Sequence, residues 1–191
     1  AAHLCAQLVD DVDDAGHAKR RLLRRQALGG AADDAAQRDH ARADAALARA
    51  ATLLVDAARP EPRAARMLVL LKVQSQLARG DAAGAFAALK PLVDDGSRPV
   101  ALMAAEVALA SAGTGNAPAP GNEALKRSAD ELQTRVATRV NDATTWQLLA
   151  RVWARLGQPL RALRAEGEAQ YALGDLPGAI DRLRAGQRLA R

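Results

Sequence analysis

The apolar positions of residues 143–156, ATTWQLLARVWARL, follow one helical rule: Trp146, Leu149, Ala150 and Trp153 recur at i, i+3, i+4 and i+7. Leu148, Val152 and Leu156 widen that stripe, so this helix is expected to pack on two sides, as an inner helix of a stacked array does. Upstream, Leu125, Leu132 and Val136 predict a long polar helix over 122–139, and Asp142 is placed to cap the helix that follows. Residues 62–79 predict another helix, with Met67, Leu70, Leu71 and Leu77 on its main face and Leu68 and Val73 flanking it. A helix over 82–94 is expected to bury Phe86, Leu89 and Val93, and to kink or end early at Pro91. One more helix fits 99–112, and GTGNAPAPGN at 113–122 reads as a loop.

The pattern weakens toward the N-terminus. Leu4, Leu8 and Val12 share a helical face, and a short helix over 17–28 stops at Gly29-Gly30. Asp33 is placed to cap an alanine-rich helix reaching about Ala58, whose residues 31–46 are polar enough to be expected in solvent. This change in regularity divides the chain into a less regular helical segment, 1–58, and a repeat region, 59–191, with the loop at 113–122 inside it.

Three short stretches share one grammar: GDAAGAF at 80–86, GQPLRAL at 157–163 and GDLPGAI at 174–180. In each, the glycine is placed to end a helix in a left-handed conformation, and Asp81 and Asp175 to cap the next helix. Ala85, Ala162 and Ala179 let neighbouring helices approach, and the hydrophobe after each, Phe86, Leu163 or Ile180, is expected in the core. Gly157 and Gly174 stand 17 residues apart, half of the ~34-residue period of tetratricopeptide repeats. The predicted fold is an all-α array of antiparallel helix-turn-helix units, tetratricopeptide-like, of the α-α superhelix kind.

Composition agrees with that reading and narrows the chemistry. Aromatic residues make up 2% of the 191 residues, too few for a β-sandwich or barrel, while alanine, leucine and arginine favour helix. The net charge of +5 raises nucleic acid as a partner, through KRRLLRR at 19–25. Only four of the 27 basic residues are lysines, a skew that matches GC-rich coding, and no stacking aromatics accompany the cluster, so a solvated face is preferred. His3, His17 and His40 lack any i, i+4 pairing, Cys5 is alone, and there is no HExxH, CxxC or phosphate-loop motif. The aspartates at 10–14 lack the glycine and terminal glutamate of a calcium loop. Trp146 and Trp153 read as core rather than as a ligand-stacking pair. No catalytic, cofactor or metal residue is expected in this chain, and no apolar run is long enough to cross a membrane.

Residues 142–191 resemble the end of the C-terminal tetratricopeptide-like domain of bacterial M48-family metallopeptidases, the beta-barrel assembly-enhancing protease group. The likeness rests on W-x-L-L at Trp146–Leu149, on Leu156-Gly157, on R-A-x-R-A-E-x-E at 161–168 and on G-D-L-x-x-A-I at 174–180. It is looser over 42–112 and absent from 1–41. The resemblance implies a periplasmic role in envelope protein quality control, with zinc held only by a peptidase domain preceding the repeats. It also implies protein or peptide partners, either outer-membrane protein clients or their assembly machinery. With Gly157 at the mid-turn of a repeat, the binding face of the inner helix falls on Thr144, Gln147, Arg151, Ala154 and Arg155. Arg151 and Arg155 then form an i, i+4 guanidinium pair suited to a carboxylate or a chain terminus. The expected function is therefore protein binding, with Gln147, Arg151 and Arg155 as partner contacts. A freestanding tetratricopeptide-like adaptor and an arginine-rich nucleic-acid-binding helical protein are the alternatives.

Overall fold

The computed structural model describes residues 40–55, 62–112 and 120–191. Those residues form eight α-helices, one 3-10 turn and no strand. The helices are α1 His40–Val55, α2 Pro62–Ala78, α3 Ala82–Leu89, α4 Arg98–Ser111, α5 Pro120–Thr138, α6 Ala143–Arg155, α7 Pro159–Ala172 and α8 Leu176–Leu189. They fall into two compact units, α1–α3 ending by Asp94 and α4–α8 within Asp95–Arg191, a division by contact rather than by the patterning change near residue 58. Within each unit consecutive helices pack on one another, so the chain is an all-α helical array. The expected helices over 3–12 and 17–28, His3, His17, Cys5, the aspartates at 10–14, the basic cluster at 19–25 and most of the loop, 113–119, lie outside the described residues.

In the first unit, Ala43, Ala46, Leu47 and Ala50 are buried at the i, i+3, i+4, i+7 spacing of one face of α1. That face meets Leu71, Met67 and Leu68 of α2. Residues 40–46, expected in solvent, are therefore packed in part. Alanine supplied an apolar face that a search for larger hydrophobes passes over. On α2 the most deeply buried large side chain is Val73, read from the sequence as flanking. The helix expected over 82–94 stops at Leu89, and Lys90–Leu92 tighten into a 3-10 turn. Pro91 explains the early end: it has no N–H to donate, and its ring clashes with the preceding turn.

The second unit has the larger core. Leu125, Leu132 and Val136 of α5 and Leu149 and Val152 of α6 are fully buried, with Trp146 and Leu148 close to it. α6 packs on α4, α5 and α7, the multi-sided burial that its wide stripe predicted. α5 begins at Pro120, so residues 120–122 of the expected loop are helical. Proline is well placed there, because the first helical N–H has no partner within the helix.

The three glycine turns are one local structure. Gly80, Gly157 and Gly174 have φ of 77°, 69° and 82°. In each, the glycine N–H bonds back to the carbonyl three residues earlier, and the next N–H reaches the carbonyl five earlier: Asp81 to Gln76, Gln158 to Trp153 and Asp175 to Gln170, all at 2.9 Å. That pair of bonds closes the helix end and requires the left-handed residue between them. Asp81 and Asp175 then accept from the backbone N–H of Gly84 and Gly178 at 2.7 and 3.0 Å, as N-caps. Gln158 makes no such cap.

The core expectation for these turns holds in part. Ala85, Ala162 and Ala179 are buried, but Phe86 and Ile180 are 51% and 48% exposed, and Leu163 is half-buried. Val93, also expected inside, is exposed. One residue along a helix is a rotation of about 100°, so the hydrophobe after the contact alanine faces away from the helix that alanine touches. It is covered only where another helix lies on that flank. Leu163 has α8 there, its Cβ 3.8 Å from where a Gly186 Cβ would stand.

Candidate protein-binding face

The outward face of α6 is set by its cap and its core. Asp142 accepts from the Thr145 N–H at 3.2 Å and from the Thr145 hydroxyl at 2.7 Å. On the core side, the Trp146 indole donates to the Val140 carbonyl at 2.9 Å. With Trp146, Leu149 and Val152 turned inward, Thr144, Gln147, Arg151, Ala154 and Arg155 are left exposed. The structure thus places Gln147, Arg151 and Arg155 on one solvent-facing side of an inner helix.

It also gives both arginines work within the chain. Arg151 Nη1 and Nη2 donate to the two carboxylate oxygens of Glu106 on α4, at 2.6 and 3.2 Å. Arg155 donates to the carbonyl of Ala112, at the end of α4. The expected guanidinium pair is therefore not an empty clamp, since its first carboxylate is already Glu106. The ion pair is solvent-facing, with side-chain exposures of 59% and 39%. A pair so exposed contributes about 0–1 kcal/mol and can be exchanged for another carboxylate at little cost.

A third link ties the other end of α4 to α6. Arg98, the first residue of α4, donates from Nε and Nη2 to the Asp142 carboxylate at 2.6 and 2.7 Å. Those hydrogen bonds, helped by Thr145 and opposed by burial, hold the Asp142 carboxyl far below the usual carboxylate range. The Arg98 guanidinium is correspondingly pushed up by Asp142. Arg98–Asp142, Glu106–Arg151 and Ala112–Arg155 join residues 44, 45 and 43 apart. A nearly constant separation means that α4 and α6 run in the same direction, side by side, with α5 returning between them.

Sequence reasoning missed Arg98, Glu106 and Ala112 as partners of this face. Nothing local marks them, because the signal is a register between helices about 44 residues apart. Trp153, half-buried, has Arg161 over its ring at 4.6 Å, so the side facing α7 is covered by a cation. His40 is the only one of the three histidines among the described residues. Among those residues no group of three or more His, Cys, Asp or Glu is placed to hold a metal, and no helix is long and apolar enough to cross a membrane. No family model, characterised protein or solved structure matches this chain.

Proposed function

We propose that this chain is a tetratricopeptide-like protein-binding module, the non-catalytic C-terminal repeat domain of a periplasmic M48-type zinc metallopeptidase acting in envelope protein quality control. The observation that carries the reading is the parallel register of α4 and α6, which point the same way with α5 returning between them. Such stacking is how helical repeats build an extended face from short units. The separation near 44 exceeds the ~34-residue tetratricopeptide period, in keeping with the 19-residue length of α5. The peptidase assignment rests on the resemblance of residues 142–191, and zinc belongs to the preceding domain in that reading.

The client-binding contacts are Gln147, Arg151 and Arg155, with Glu106 as an internal competitor for Arg151. Fluorescence anisotropy with a labelled, unfolded outer-membrane β-barrel polypeptide tests this. Replacing Gln147, Arg151 and Arg155 together by alanine should weaken binding at least tenfold, and Glu106→Gln should tighten it. Equal affinity across the three proteins would remove the α6 face from the function. Intact mass and zinc content of the protein from its source test the peptidase assignment: a longer chain with about one zinc, as one catalytic site holds, supports it. A zinc-free chain of this length would leave a freestanding adaptor.

A further inference from the structure

The two arginines of the α6 face hold different chemistry inside the chain. Arg151 takes a side-chain carboxylate, with Nη1 and Nη2 each on one oxygen of Glu106. Arg155 takes a main-chain carbonyl, that of Ala112, the residue that caps the end of α4. The last carbonyls of a helix have no partner within it, so Arg155 pairs a group that the helix itself leaves unpaired. α4 thus lies on α6 as an internal ligand with two handles, one acidic side chain and one main-chain carbonyl.

Both arginines face solvent, and the Glu106 side chain is itself 39% exposed. An exposed ion pair favours its closed form over the open one by at most about fivefold, so Glu106 shields Arg151 without sealing it. The local charge is simple. The charged residues within α4 are Arg98 and Glu106, those within α6 are Arg151 and Arg155, and Arg98 is held by Asp142 at the far end. Thr144, Gln147 and Ala154, on the same side of α6, are exposed and uncharged. Glu106 is therefore the one carboxylate on these two helices that an incoming carboxylate has to displace.

Resting on the reading of this face as the client-binding one, we infer that it takes an extended client segment, in which Arg151 reads an Asp or Glu side chain in place of Glu106 and Arg155 reads a main-chain carbonyl two residues away. Arg151 and Arg155 stand at i, i+4, a rise of about 6 Å along α6. Two residues of extended chain cover about 7 Å, which matches that step. A helix offers unpaired carbonyls only at its end, whereas an extended chain offers one at every residue. A polypeptide that has not yet folded therefore carries the second handle anywhere along its length. Selectivity resides at Arg151, because a carboxylate meets a guanidinium with two charge-assisted hydrogen bonds, as Glu106 does. Arg155 adds affinity that is indifferent to sequence.

The test uses the full chain and two labelled peptides of roughly nine residues, rich in Thr and Val to stay extended, with both ends blocked. One has Glu at its centre and the other Gln. By fluorescence anisotropy the Glu peptide should bind at least about twofold more tightly, since the internal pair offsets part of its advantage. Glu106→Gln should widen the gap to at least about tenfold by tightening the Glu peptide alone. Arg151→Ala should abolish the preference, with or without Glu106→Gln. Arg155→Ala, in buffer where circular dichroism shows it folded, should weaken both peptides by the same factor and keep the preference. Equal binding of the two peptides to the Glu106→Gln protein overturns the inference. So does an Arg155→Ala protein that loses the preference or binds both peptides as the wild type does, or a Gln peptide with a free C-terminus that matches the blocked Glu peptide. If the blocked peptides bind alike while replacing Gln147, Arg151 and Arg155 together still weakens the barrel polypeptide, this inference falls alone. If neither peptides nor polypeptide respond to those residues, the reading of the face falls with it.

Discussion

The α1–α2 contact of the first unit and the α5–α6 core of the second hold helices together by opposite means. α1 buries Ala43, Ala46, Leu47 and Ala50, mostly single methyl groups. A buried methylene is worth about 0.8 kcal/mol and a whole leucine or valine about 1.5–3. An alanine face therefore gives closeness more than free energy, and it specifies register weakly because alanines look alike. Asp44 and Arg79 supply the register, through paired hydrogen bonds at 2.8 and 2.6 Å. In the second unit Leu125, Leu132, Val136, Leu149 and Val152 already interlock by shape. There the Arg98–Asp142 and Arg151–Glu106 pairs align helices that packing holds. The lesson is that ion pairs do the same job in both units, and the cost of losing one depends on what else fixes the register.

The largest test of that contrast removes core volume. Trp146→Ala should destabilise the second unit by about 3–5 kcal/mol, from lost burial and the cavity left behind. Both tryptophans of the chain lie in this unit, so Trp153 fluorescence in urea still reports its unfolding in the variant. A loss below about 1 kcal/mol would mean that shape does not hold α5 against α6.

Asp142→Ala comes next. It deletes an N-cap, worth about 1–2 kcal/mol, and strips the carboxylate from Arg98, for a combined loss of roughly 2–3 kcal/mol. The folded-state pKa of Asp142 is depressed, so its contribution is fully present above the unfolded value, about 3.9, and is lost as pH falls through the folded one. Urea stability of the native protein should accordingly decline from about pH 4 downward. Asp142→Asn should flatten that decline while leaving the slope above pH 5 unchanged.

The three glycines offer an intermediate test, and they show what the sequence made legible. Gly174→Ala, like Gly80→Ala or Gly157→Ala, should cost about 1–2 kcal/mol, because a side chain is forced into the left-handed region. No neighbouring atom lies within 4 Å of a Cβ at any of them, so the whole cost is backbone strain. These turns were readable because their causes are local: a glycine, a capping aspartate and a buried alanine within seven residues. The coverage of Phe86 and Ile180 was not, since it depends on whether a second helix lies on their flank. Nor was the engagement of Arg151 and Arg155, whose partners sit on a helix about 44 residues away. The packed face of α1 was hidden for a different reason: alanine serves equally as a helix former and as a contact residue, and the sequence does not say which.

A smaller effect is expected at the clamp of the first unit. Asp44 is 51% exposed at its side chain, and Arg79 holds its carboxyl below the ordinary range. Water screens an exposed pair, so Asp44→Ala should cost at most about 1 kcal/mol in global stability. Its sharper signature should be local, as faster amide exchange along α1, because register there rests on this clamp. Unchanged exchange in α1 would put the two units on the same footing and dissolve the comparison.

The smallest effect should come from Gly178→Ala and Gly84→Ala, where the geometry at first suggests a large one. A Cβ at these positions would fall 2.2 and 2.1 Å from Oδ2 of Asp175 and Asp81, so the cap as it stands leaves no room. Asp142 shows how the conflict resolves. Its backbone angles, φ −84° and ψ 79°, match those of Asp175 at −84° and 80°, yet it caps Thr145, a residue with a branched Cβ. The carboxylate there is turned so that one oxygen takes the backbone N–H and the other the hydroxyl. Alanine at 178 should drive the same rotation, trading part of a cap for up to about 1 kcal/mol of helix propensity. The net change should stay within about 0.5 kcal/mol, and Asp175→Ala should cost about 1. If Gly178→Ala costs as much as Asp175→Ala, the cap cannot rotate, and the glycine at the fifth position of the turn is required rather than permitted.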